Sequence, residues 1–420
     1  MRRSSKNSPP KLGAESHRLT TVAQSILQAS SRLEERACER HLDAMIQKIL
    51  SSHHQDAIDA ALDNLFKIEP AAYDALMESV ESVSASCTVE HDGSQYDALL
   101  IAVPILAWTR FSIPSGPIST DMLTTLSAHL YAHVLATDTK LAMMPTLFAI
   151  DQLPRTHAET FTLTRHMAQA ALTGAPLRAP SNPPETAPFL ADTRYLLAVV
   201  AAPAGAPLFH WQMPKNQFNL MSRQEAFENW SAQAKPNIER LLPGCGIELL
   251  LPEAYYVACR EADKQIRPAS IRAAVHYLTH TLKVESNELS AIIGNFGDDS
   301  SDGRVDEYRI GFTLRQNPEV VYGIVWPLYG QEDAEVEPGD GAIDHLLYAG
   351  PSLEINRPTP IEQILALLRE CGITDIKHHA ERFPMESCED CGAPFYCDID
   401  AELVHAEMPE DVPPTAEHFH

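Results

Sequence analysis

Cys388 and Cys391 stand in a C-x2-C pattern followed at once by Gly392. That spacing lets two thiolates reach one metal ion from a tight knuckle, and the glycine permits the backbone turn. Zinc takes four ligands, and the sequence has no second C-x2-C to supply the other two. Cys397 and His405, the latter on a returning strand, are the expected partners. The terminal His418 and His420 are further candidates, and His378 and His379 lie just upstream. A zinc ion with four protein ligands would be structural. The alternative is a metal-free, reduced pair. Redox chemistry is disfavoured, because a reactive thiol needs an electropositive setting and Glu389 and Asp390 sit between the sulfurs.

A second set of residues follows two buried-strand patterns. Trp108 and Arg110 come after the first, and Tyr256, Arg260, Arg267 and Arg272 after the second. Ligands in open α/β sheets collect outside the carboxyl ends of strands. Cationic and aromatic groups gathered there would suit a small anion. Against this, Arg260 and Arg272 have acids such as Glu261 and Asp263 nearby to pair with. Two histidine pairs, His129 with His133 and His276 with His280, have the i, i+4 spacing of a helical chelate. Neither has the adjacent Glu of a zincin motif, and both are read as polar-face residues. The acidic loop at residues 298–303 has Arg309 where a calcium loop needs its bidentate Glu, which excludes that geometry. No G-x-S-x-G elbow, Walker loop, G-x-G-x-x-G or kinase signature occurs.

The elements that must position these groups follow from periodicity. Residues 16–85 carry helical apolar stripes with polar breaks near 51–54 and 69–70, which predicts a small helical layer. Residues 96–104 form a near-continuous apolar run ending at Pro, as a buried strand does. A helix is expected near 119–135, an apolar stretch at 141–150, a helix at 156–172, a hairpin from 195 to 211 and a helix at 222–241. The second half repeats that order. A buried strand is expected at 247–252, a helix opening after Arg267-Pro268 and running to 283, a strand at 289–296, a hairpin from 308 to 326 and a closing helix at 359–370. Cys245-Gly246-Ile247 and Cys371-Gly372-Ile373 mark matching helix exits, with both cysteines read as small apolar residues.

Composition bounds the partners. Acids outnumber bases 57 to 32 for a formal charge of −25, which repels phosphate backbones and anionic headgroups. Nucleic acid and membrane are therefore not expected as partners. No apolar run approaches about 18 residues, and the basic start precedes no hydrophobic segment. The eight cysteines are then reduced thiols of a cytoplasmic protein.

The stretches VPILAWTRFSIPSGPI, ETAPFLADTRYLLA, LLPGCGIELLLPEAYYVACREADKQIRPASIRAAV and CEDCGAPFY with ELVHAEMPE resemble an uncharacterised bacterial family, domain of unknown function 2863. The resemblance runs from about residue 96 to the end, and the helical front belongs to it as well. It implies a bacterial cytosolic protein and brings no fold, activity, ligand or catalytic residue.

The reading is an α+β or α/β chain in five parts: a disordered basic tail at 1–13, a helical region at 14–86, a first α/β repeat at 87–245, a second at 246–380, and a knuckle with its tail at 381–420. The expected function is a non-catalytic binding or regulatory module, with a cleft between two related lobes for a small anion or a protein partner. The alternative is an enzyme of unknown reaction acting on an anionic small molecule at the lobe interface.

Overall fold

The computed structural model describes residues 12–52, 55–181, 183–184, 186, 189–213, 222–297, 304–329, 332, 358–389 and 391–408. Most of the expected basic tail, the acidic loop at 298–303, His418 and His420 lie outside those residues. Helices and sheets are both present, as the sequence predicts. No helix among the described residues is long and apolar enough to cross a membrane.

The helical front is α1 (Ala14–Leu27), α2 (Arg32–Ser51), α3 (Asp56–Ile68) and α4 (Pro70–Ala85). The Ser31 side chain accepts the Glu34 amide to start α2, and Pro70 opens α4 where its missing N–H costs nothing. Their stripes, including Leu19, Leu42, Ile46, Leu65 and Leu76, close on one core.

A seven-stranded antiparallel sheet follows. It contains β1 (Ser86–His91), β2 (Ser94–Trp108), β3 (Gly116–Pro117), β4 (Lys140–Ala149), β5 (Ala191–Pro203), β6 (Gly246–Leu249) and β7 (Glu253–Ala254). β2 and β5 pair from Tyr96 with Pro203 to Trp108 with Ala191. One face packs on α5 (Thr120–His133) and α7 (Arg223–Ile238) through Leu126, Leu130, Trp230 and Ile238. The other packs on α6 (His157–Thr173) and the first turns of α8 (Tyr255–Leu282). Alternate strand residues serve the two faces, which is why β2 and β5 read as unbroken apolar runs.

Three expectations are corrected here. The hairpin at 195–211 is instead the single long strand β5, and residues 210–212 form a short 3-10 turn against α5. The strand at the start of the expected second repeat belongs to the first sheet, where β6 and β7 pair with residues 101–108 of β2. The helix expected to open at Pro268 begins at Tyr255 and runs through the proline. Proline frees the carbonyl of residue 264, and the Arg267 Nε donates to that Lys264 carbonyl at 3.2 Å. Tyr255, Ala258 and Ala262 are buried on the first sheet, and Ile271, Ala274 and Leu278 in the second core.

The second sheet has the order β10 (Asn317–Pro327), β9 (Glu307–Leu314), β8 (Leu289–Gly297), β11 (Asp375–Pro384). The hairpin of β9 and β10 is the one expected. α9 (Pro360–Glu370) precedes β11, which lies parallel to β8. This four-stranded mixed sheet differs from the first in strand number and direction, so the expected duplication is not confirmed. α8 and α9 cover one face. The other carries the end of the chain, in which β12 (Tyr396–Cys397) pairs with β13 (Leu403–Val404).

Candidate metal centre

The knuckle is closed by its own backbone. The Cys388 amide donates to the Ala393 carbonyl at 2.8 Å and the Gly392 amide to the Cys388 carbonyl at 2.9 Å. Gly392 has φ +74°, a left-handed turn that other residues adopt only under strain. The β12–β13 hairpin then returns the chain, so that His405 follows the last strand residue and meets the knuckle. His405 Nε2 lies 3.1 Å from Cys391 Sγ. The donor atoms of Cys388, Cys391 and His405 all lie within 4.8 Å of one another, a group that could hold a metal ion.

Cys397, the expected fourth donor, is not in this group. It is buried beneath β8, with its sulfur in the space that a side chain at Gly294 would need. Burial pushes its thiol up to about 12. The upstream histidines are also engaged elsewhere. His378 Nε2 bonds Asn295 Oδ1, and His379 Nε2 bonds the Asp398 carbonyl, both at 2.8 Å. The His405 Nδ1 is buried with no hydrogen-bond partner, and the Glu407 carboxylate stands 3.5 Å away. A metal-bound imidazole typically gives its other N–H to such a carboxylate.

Two features that hold the knuckle were not read from the sequence. Arg309, only 3 % exposed, donates from Nη1 to the carbonyls of Glu386 and Phe395, each at 2.7 Å. Those carbonyls flank the knuckle on both sides. The same guanidinium pairs with Glu307 at 2.6 Å and lies 4.3 Å from the Phe296 ring centroid. The second feature is a trough of glycines across the outer face of the sheet. Gly294 leaves room for Cys397, and Gly323 for the ring of Tyr396. Glycine inside a strand signals such a close approach, and arginine between Tyr308 and Ile310 in an apolar strand signals a buried charge with dedicated partners.

A cavity of about 520 Å³ lies where three parts of the fold meet. The segment leading into β5 contributes Phe189 and Leu190, the start of β5 contributes Asp192, β10 contributes Tyr322 and Ile324, and the knuckle contributes Cys391. A second cavity of about 360 Å³ shares Tyr322, Gly323, Ala393, Pro394 and Tyr396 and includes His405.

The residues expected to hold an anion are not gathered in one cleft. Arg110 bonds His280 at 2.7 Å, and Arg260 pairs with Glu81. Residues 260 and 280 are separated by about 30 Å of helix. Arg267 is buried against Glu332 at 2.9 Å and the Pro327 carbonyl at 2.7 Å, under Trp326 and Tyr329. The Tyr256 hydroxyl meets Ser84 at 3.1 Å. Trp108 and Arg272 share a cavity, with Gln265 and Glu362 on its walls, and Arg272 also reaches Glu370 at 3.3 Å. The acids that engage these arginines come from distant elements, and the near neighbours Glu261 and Asp263 are not the partners of Arg260 and Arg272. Another arginine that sequence reasoning missed, Arg194, is buried with Asp192. It donates to the Ile113 and Pro114 carbonyls at 2.7 and 2.9 Å, which fixes the turn after β2 as structure. Cys245 and Cys371 are half-buried, with burial raising both thiols.

No curated protein and no solved structure matches the chain. One family model, described as protein of unknown function DUF2863, matches residues 4–419. That span takes in the helical front, both sheets and the knuckle, and the chain belongs to the DUF2863 family.

Proposed function

We propose that the protein is a non-catalytic binding module in which zinc, held by Cys388, Cys391 and His405, fixes one wall of a ligand cavity between the two sheets. The observation that carries this reading is the position of the metal group. Cys391 lines the same cavity as the start of β5 and the middle of β10. Two thiolates and an imidazole are a soft donor set of the kind that suits zinc. The cavity walls are largely apolar, with Asp192 and Ser270 as polar points and no arginine. Such walls suit a small, mainly apolar molecule with a hydrogen-bonding end, in place of the anion expected at the arginines. A net charge of −25 speaks against nucleic acid and anionic membranes as alternatives.

The test is elemental analysis joined to a binding assay. Protein purified without chelator should carry about one zinc per chain, and Cys388→Ser should lose it. Filling the cavity with Ile324→Trp should abolish saturable one-to-one binding of an apolar reporter dye while zinc content stays unchanged. Less than about 0.1 zinc per chain after reconstitution, or dye binding indifferent to Ile324→Trp, would overturn the proposal.

A further inference from the structure

We infer that the metal centre keeps one coordination position for an outside donor, so that a small molecule in the cavity binds the metal directly. The inference rests on the metal reading above and goes beyond it in making the ion part of the recognition surface.

Three observations carry it. First, the donors that converge among the described residues are three. The nearby alternatives are committed: Cys397 lies under β8, His378 bonds Asn295 and His379 bonds the Asp398 carbonyl. Glu407 stands on the Nδ1 side of His405, where it can orient the imidazole while Nε2 faces the sulfur. A tetrahedral ion with three protein ligands completes its shell with water or a ligand. Second, the group borders two cavities. Cys391 lines the larger and His405 the smaller, and five residues belong to the walls of both. An ion between Cys391 Sγ and His405 Nε2 therefore stands at the partition, with space on either side. Third, Arg309 and the glycine trough hold the knuckle through contacts among protein atoms. A preorganised three-donor set has less need of a fourth chain ligand to keep its shape.

The chemistry of the donor follows from charge. Two thiolates neutralise a divalent ion, so the centre has no net charge to attract an anion. Glu386, Glu389 and Glu407 nearby repel one further. A neutral nitrogen donor on a largely apolar body is the ligand class this centre favours, and a carboxylate the class it disfavours.

Cobalt(II) loaded into the full-length protein provides the test, because its visible ligand-field bands report coordination number and donor type. Titration with imidazole is expected to shift those bands saturably, while acetate at the same concentrations leaves them unchanged. The double variant His418→Ala, His420→Ala is expected to show the starting spectrum of the wild type. Bands that ignore imidazole, or a double variant whose starting spectrum differs, would mean that the chain itself completes the shell, and the inference would fall while the metal reading stood. A larger response to acetate than to imidazole would overturn the donor class. Failure to take up any cobalt or zinc would remove both readings together.

Discussion

Arg309 occupies a strand position that faces the outer side of the second sheet, where an apolar residue would ordinarily pack. Its guanidinium satisfies two carbonyls that flank the knuckle and neutralises Glu307. Removing it would leave buried acceptors without donors and a buried carboxylate without a counter-charge, a loss typically of about 3–5 kcal/mol. Arg309→Ala is therefore expected to lower the thermal midpoint sharply and to weaken zinc at least about tenfold. Calorimetry and competition with a chromogenic chelator read the two effects separately. An unchanged zinc affinity would show that the knuckle does not depend on the clamp. At this scale the sequence was partly legible. The C-x2-C spacing and the returning His405 point to three residues that the structure brings together, because local chain geometry suffices to do so. Cys397 misled because spacing does not say which way a strand residue faces, and β12 turns it onto Gly294. Arg260 and Arg272 misled for a different reason. Their acidic partners, Glu81 and Glu370, are 179 and 98 residues away.

Among the elements, α8 shows how tertiary burial overrides a local signal. Proline in the first turn of a helix is a sound expectation, yet Pro268 sits mid-helix because both halves of α8 have a core to bury and Arg267 takes the freed carbonyl. The same helix carries Asp263, whose carboxyl is raised above its usual value by burial, although it lies against Tyr329 and Arg267. A carboxyl raised in the folded state binds more protons folded than unfolded once pH passes about 4, so stability falls as pH rises through that window. Asp263→Asn removes this proton linkage. Urea unfolding between pH 4 and 7 is expected to show the wild type losing stability relative to the variant as pH increases. Parallel pH profiles would show that Asp263 titrates alike in both states. Most element types and positions were legible from periodicity, including α1 to α6, β2 and the β9–β10 hairpin. The 195–211 hairpin was misread because a Pro-Ala-Gly turn there ends a strand without starting its partner.

For the whole molecule, the sequence order of strands and helices was a better guide than any inference about which strands pair. Matching Cys-Gly-Ile exits suggested two copies of one unit, but strand direction and number differ between the sheets. The boundary expected between residues 245 and 246 falls just before two strands that complete the first sheet. The pairing partners are more than 130 residues apart, beyond what local pattern conveys. A fragment ending at residue 245 is accordingly expected to aggregate, since it would expose residues 101–108 of β2 as a long apolar edge. Size-exclusion chromatography of that fragment tests this, and a monodisperse monomer would contradict the role given to β6 and β7.

That late-arriving edge cover has a consequence during synthesis. Ribosomes deliver β2 well before residues 246–254, at roughly 5–20 residues per second. For several seconds at least, the nascent chain presents one edge of residues 101–108 of β2 without the strands that pair with it. Folding in the cell is thus expected to pass through a stage of dependence on chaperones that bind extended segments, one that ends when β6 and β7 emerge.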